Sequence, residues 1–468
     1  MLAISATQSP RLTRRSFAAA EQPQSIVHKL SLLLVAITVI SGGVVFSEPA
    51  PVDGLTFALV FLLPTVGLVA INPALLTYAS LWAVAGAAAV LAATFSLDLD
   101  KTLIHVSVTL YLYLASAVFA AFIAKSPTRH AELIFKAWTI GALLAATAAF
   151  AGYFNLFGGA HELFTRYDRA AGTFKDPNVL GPFLVAPILY LLHVALTRSW
   201  VRMVLPLGIA GFLAFALLLT FSRGAWMNIA LAGALYGFFI LLTSDRAAIR
   251  LKLVALMAAA VIFTCGIVAY ASTSSSISSL FAERASLSQS YDTASDGRFG
   301  GQEKAIGLIL ENPLGIGAQE FVTRHHLEEA HNVYLSVLLN AGWLGGGIYW
   351  IMVVLTLVLG FRHALKRTPW QPLFLIAYSA FVANAMEGVI VDTDHWRHFY
   401  LLMAIVWGMM CARPWAEPSS PEPKRATRLT ARARAPRPAS VRWPEPRQRL
   451  PKMLPRMLRE QAAVKQSA

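Results

Sequence analysis

His331 stands in LEEAHNVYLSVLLNAG, residues 327–342, after two acids and directly before a long apolar run. A reference pKa near 6.5 makes imidazole the side chain best suited to exchange a proton at neutral pH. Asn332 or a nearby acid would fix its tautomer. Arg223, in LTFSRGAWMNIALAG, lies in a very short polar connection and precedes a glycine, which suits a cation aimed into a cleft. Arg298, in SDGRFGGQEKA, has glycines around it and Asp296 two residues earlier to orient the guanidinium. Each has an ordinary explanation when taken singly. An arginine at the end of an apolar segment snorkels to headgroups, one in a loop is solvated, and a histidine at a helix start caps it.

More cations fall in the same kind of place. AAGTFKDPNVLGPFL puts Lys175 beside Asp176-Pro177-Asn178, a helix-start pattern with Pro in the first turn, where an anion is readily held. Arg166 and Arg169 precede it, and Arg397 follows Trp396 in DTDHWRHFYLL. HHLEEAH offers His325, His326, Glu328, Glu329 and His331 as metal donors. That spacing matches no zinc helix, and on a helix His331 would point away from His325 and Glu329. The reading is therefore that no metal and no cofactor takes part.

These residues must be positioned by membrane helices. Of 468 residues, 56% are hydrophobic and only 14% charged. Apolar runs of about 17–25 residues recur, the length that crosses a bilayer as helix, and they are too long and continuous for barrel strands. The expected fold is all-α and polytopic, with about twelve spans. They begin near Lys29, Gly54, Ala74, Thr102, Glu132, Pro177, Met203, Gly224, Lys252, Asn332, Gln371 and His398. The excess of Lys and Arg in alternate connections puts both termini in the cytoplasm. The first span then follows a cytoplasmic segment, 1–28. The membrane domain covers 29–411, and a basic, disordered cytoplasmic tail covers 412–468, suited to an anionic leaflet. TRRSF near the start reads as a basic flank that stays inside. On the outer side lie the loop with Arg166, Arg169 and Lys175, the junction at Arg223, VDTDHWRH, and the longest loop, about 272–331. Within that loop GGQEKAIGLILEN reads as an amphipathic helix with Ile306, Ile309 and Leu310 on one face. Basic residues on the outer side run against the positive-inside bias, and an anionic ligand is the simplest reason. Cys265 and Cys411 both fall inside expected spans, which argues against a disulfide framework.

The order of these stretches is informative. GTFKDPNVLG, then FSRGAW, then DGRFGGQEKAIGLILENPLGIG, then AHNVYLSVLLNAGWLGG, then HWRH before the last span resembles the O-antigen ligase and polymerase superfamily of bacterial membrane glycosyltransferases. The likeness covers about Gly172 to Gly408 and is most specific from Asp296 to Gly346. It implies a GT-C-like, metal-independent enzyme of the bacterial inner membrane with a periplasmic active site. The enzyme would move a glycan from undecaprenyl diphosphate to lipid A-core, with inversion, in contact with membrane lipids and without nucleic acid. Diphosphate leaves as the glycosidic bond breaks, so Arg223 and Arg298 are the catalytic cations and His331 the base. Arg166, Arg169, Lys175, Asn178, Asn332 and Arg397 are the substrate-binding candidates. A polymerase that uses a second carrier-linked glycan as acceptor shares all of this machinery. A transporter fits less well, because the charges collect at the outer rim rather than at the bilayer midplane.

Overall fold

The computed structural model describes residues 26–47, 49–272 and 298–412. The proposed cytoplasmic tail, Asp296 and almost all of the N-terminal segment lie outside those residues. Helices α1 (Ile26–Ser41), α2 (Pro51–Thr65), α3 (Pro73–Ala93), α4 (Leu99–Lys125) and α5 (Pro127–Tyr153) come first. A short helix α6 (Ala160–Phe164) leads into a two-residue hairpin, β1 (Thr165–Arg166) against β2 (Arg169–Ala170). Then come α7 (Pro177–Thr197), α8 (Val204–Leu219), α9 (Arg223–Thr243), α10 (Ala247–Ser272), α11 (Arg298–Glu311), α12 (Val333–Ala364), α13 (Gln371–Glu387) and α14 (Arg397–Cys411).

The helices begin where side chains can cover the first orphan N–H groups. Asn72 accepts from Leu75 N, Asp98 from Lys101 N, Asp176 from Asn178 N, Ser222 from Ala225 N and Asn332 from Tyr334 N. Pro73 and Pro177 pre-set φ for the first turn.

Six helices among the described residues are long and apolar enough to cross a membrane: α3, α4, α5, α7, α9 and α12. Four shorter apolar helices, α1, α2, α8 and α14, accompany them. Length and composition thus establish a helical multi-pass membrane protein, with six qualifying helices against the twelve spans the sequence predicts. Among the six candidate spans α7 is the most buried, with Leu180, Leu184, Val185 and Ala186 sealed from solvent. An aromatic cluster, Trp82 stacked on Tyr113 and Tyr78 against Trp407, ties α3, α4 and α14 together. Phe57, Phe61, Val354 and Val358 remain exposed, as lipid-facing side chains do.

Two expectations are corrected. The run after His331 is not one continuous span. Gly342, at φ 67° and ψ −175°, breaks α12, and the segment 333–341 precedes the long remainder. Only glycine fits, since a Cβ there would lie 2.6 Å from the Leu314 carbonyl carbon. Trp343 N donates to Pro313 O and Ile316 N to Leu339 O, locking the break to the loop after α11. On α11 itself the buried face is Ala305 and Ile309, spaced i, i+4, whereas Ile306 and Leu310 are exposed. Trp396, at the N-cap of α14, is buried.

Candidate active site

In an up-and-down bundle, alternate helices start at the same end. Asp53, Lys101, Lys175 and Arg397 stand at or just before the starts of α2, α4, α7 and α14, and all line one cavity of about 830 Å³. Its deeper wall is apolar, with Val39, Leu112, Phe119, Phe183 and Leu401. Its polar wall adds His105, Gln319, Glu329, Asp392, Asp394 and His395. A smaller adjoining cavity shares His105, Gln319, Glu329, Asp392 and Asp394 and extends to Ser336 and Asn340. A cavity with one apolar and one charged wall suits a ligand that has a lipid part and an anionic part.

His331 sits beside this region. Its backbone is left-handed, φ 49°, a conformation that costs a non-glycine residue energy and persists only when its surroundings hold it. Val333 N donates to Gly388 O, and the Tyr334 hydroxyl to Ala385 O, so the start of α12 is tied to the end of α13. The imidazole Nδ1 lies 4.0 Å from Asp392 Oδ2, and Nε2 lies 3.3 Å from Glu328 Oε2. The orienting groups are therefore acids. Asn332 is spent as the cap of α12, which removes it from the role of tautomer-setter. Ser336 donates to Asp392 Oδ1, and the Glu329 side chain and the His331 backbone also bond the buried Asp392 carboxyl. Burial, then the charge of Asp394, pushes the Asp392 carboxyl up; Ser336 and His331 pull it back only in part. Burial also raises Asp394, but His395 and His105 outweigh it and hold that carboxyl below the usual range. Burial and the neighbouring His105 lower His395 to about 4.

The other face of the α13 end meets α9. Gly224 packs so closely on Glu387 that a Cβ would lie 2.5 Å from Glu387 Oε1. Asn228, one turn on, donates to Glu387 Oε2 at 2.7 Å. Arg223 is the first residue of α9 and half-buried, preceded by the left-handed Phe221 at φ 47°. Arg223 and His331 thus flank one helix end, joined through Gly224, Glu387, Gly388 and Val333.

The remaining predicted residues divide. Arg169 Nε donates to Thr220 O at 2.7 Å and Nη2 to Asn178 Oδ1 at 2.8 Å, so both residues brace the connection that carries Arg223. Arg397 grips Asp53 in a two-pronged ion pair of 2.6 and 2.8 Å at the cavity wall. Lys175 lines the cavity and is exposed. Arg166 is exposed on the hairpin opposite Arg169. Arg298 is the first residue of α11. Of HHLEEAH, His325 ends a π-helical turn (Phe321–His325) and the rest is irregular. The sequence reading passed over His105, Asp53, Asp392, Asp394 and His395. An ionisable group inside an apolar stretch, as in TLIHVSVTLYLYL and PVDGLTFALV, is the signal that marks the first two.

Residues 208–350 match the family model described as O-antigen ligase. No curated protein matches the chain. The matched segment holds Arg223, Arg298 and His331; Arg166, Arg169, Lys175, Asn178 and Arg397 fall outside it.

Proposed function

From the premise that the chain belongs, through that segment, to the O-antigen ligase and polymerase superfamily, we propose that it transfers a glycan from undecaprenyl diphosphate to lipid A-core. The transfer takes place at the periplasmic face of the inner membrane, inverts the anomeric centre and needs no metal. The observation that supports this is the packing of Val333 and Gly224, the chain neighbours of the His331-Asn332 pair and of Arg223, on the α13 end, near a cavity that is apolar at one wall and charged at the other.

In this reading His331 accepts the proton of the acceptor hydroxyl as the oxygen attacks the anomeric carbon. The bond from that carbon to the diphosphate oxygen breaks, and the electron pair leaves with the diphosphate. Asp392, 4.0 Å away, stabilises the imidazolium that forms. Arg223 and Arg298 meet the charge growing on the leaving group, each preorganised donor being worth on the order of a hundredfold or more. The positive ends of α7, α9 and α14 add to that field. Arg169 and Asn178 hold the Arg223 connection in place. Lys175 and Arg397 receive the diphosphate at the cavity wall, and Arg166 adds long-range attraction from the hairpin.

The test uses the purified chain in nanodiscs with undecaprenyl diphosphate-linked glycan, lipid A-core and EDTA. A shifted glycolipid on a gel, with inverted linkage by NMR, is the expected product. A ladder from the carrier-linked glycan alone makes the enzyme a polymerase. A linkage that keeps the donor's configuration removes the direct-attack mechanism.

A further inference from the structure

His105, from the second turn of α4, meets Asp394 and His395, from the loop between α13 and α14. One ligand atom from each lies within 4.8 Å of the others. Two imidazoles and a carboxylate are the donor set of divalent transition-metal sites that keep a position open.

The second layer holds His395 as such sites require. Thr109 has a single hydroxyl proton and donates it to the His105 carbonyl at 3.1 Å. Its contact with His395 Nε2 at 3.0 Å must therefore run the other way, from the ring N–H to the hydroxyl oxygen. That fixes the tautomer and leaves the His395 Nδ1 lone pair unprotonated. His105 Nδ1 lies 3.3 Å from the Gln319 amide nitrogen and so accepts, while Nε2 lies 3.4 Å from Asp394 Oδ2 and 3.5 Å from the Asn340 amide nitrogen; an ion would displace the proton from Nε2. His395 shows the division found in metal-binding histidines, one nitrogen held by an outer oxygen and the other turned inward.

The geometry points to a binding site for one zinc-type divalent ion on His105, His395 and Asp394, pinning the loop between α13 and α14 to α4. Metal–ligand bonds of about 2.0–2.1 Å set donors roughly 3.3 Å apart in a tetrahedron. The three side chains therefore draw in by on the order of 1 Å. The ion would lie in the wall of the cavity described above and hold the loop, without replacing His331, Arg223 or Arg298 in their roles, and the site stands whether or not that reading holds.

The test is binding alone. The full chain, untagged and stripped by chelator in nanodiscs, is titrated with Co²⁺, whose visible bands report donor type and coordination number, and bound metal is counted. Expected are one Co²⁺ per chain, bands of a four-coordinate nitrogen–oxygen site, and displacement by Zn²⁺. His105→Asn and His395→Asn should each weaken binding by roughly 100-fold or more. Should those variants not fold, Thr109→Val removes only the outer hydrogen bond and should weaken binding about tenfold. Absence of the bands, or equal affinity in wild type and the folded variants, overturns the site and leaves exposed histidines as the cobalt ligands.

Discussion

Asp392→Asn tests whether Asp392 acts through His331. The substitution keeps the shape and an oxygen for the Ser336 hydroxyl, and removes the negative charge. Two unit charges 4.0 Å apart, the distance from His331 Nδ1 to Asp392 Oδ2, attract by about 4 kcal/mol at an effective dielectric near 20. The imidazole is 30% exposed, and its proton is only partly transferred in the transition state. About half of the attraction, roughly 2 kcal/mol, should be felt, or about thirtyfold in kcat with KM little changed. The assay is steady-state transfer in nanodiscs with saturating carrier-linked glycan. His331→Gln alone should cost roughly 10²–10⁴-fold, and adding Asp392→Asn to it should cost almost nothing more, because the charge then has no imidazolium to stabilise. If Asp392→Asn slows the His331→Gln enzyme as much as the wild type, the two act independently and the assignment is refuted. A raised KM at unchanged kcat would make Asp392 a substrate contact instead.

Arg223→Lys keeps the charge but loses the fork that matches phosphate oxygens, so kcat should fall about 100-fold; a change below threefold would remove Arg223 from leaving-group stabilisation. Gly224→Ala forces a methyl against Glu387 Oε1 at 2.5 Å, and overpacking of this kind costs about 1–3 kcal/mol; thermal melting should drop and transfer should fall with it, whereas full activity would mean that α9 yields without moving Arg223. Glu320 is 4% exposed; burial would raise its carboxyl, but Ser96, the Leu97 and Asp98 amides and Arg324 outweigh it and hold it below the usual glutamate range. Its folded value being lowered, its contribution is complete above the ordinary glutamate value and lost as pH falls through the lower folded one. Hydrogen exchange around residues 318–326 should therefore rise on acidification through that window in wild type but not in Glu320→Gln, and an equal rise in both would refute the assignment.

The helices were legible because apolar runs and their caps are local. Asp176-Pro177 and Ser222 start α7 and α9 where the sequence puts them. Arg223 and His331 were legible because they stand at such starts. The partners were not, because they come from far along the chain: Arg397 and Asp53 are 344 residues apart and His395 and Thr109 are 286 apart. VDTDHWRH was visible as a polar stretch, but its cation and tryptophan drew the reading. Its buried acids gain their meaning only from His105 and His331, which fold against them. The break at Gly342 was hidden inside an apolar run that supports a continuous helix equally well; what decides it is a loop approaching from residues 313–316.

That break bears on how bilayer thickness is passed to the reaction geometry. A helix adapts to a thicker or thinner membrane by tilting, and a continuous helix through His331 would swing its outer end with every change. Here the long part of α12 meets the segment 333–341 at one residue with non-helical φ and ψ. The short segment is anchored to Gly388 and Ala385, not to lipid. Trp350 Nε1 donates to Tyr334 O across the joint, so the position of His331 is set by the α13 end and by the long part of α12 together.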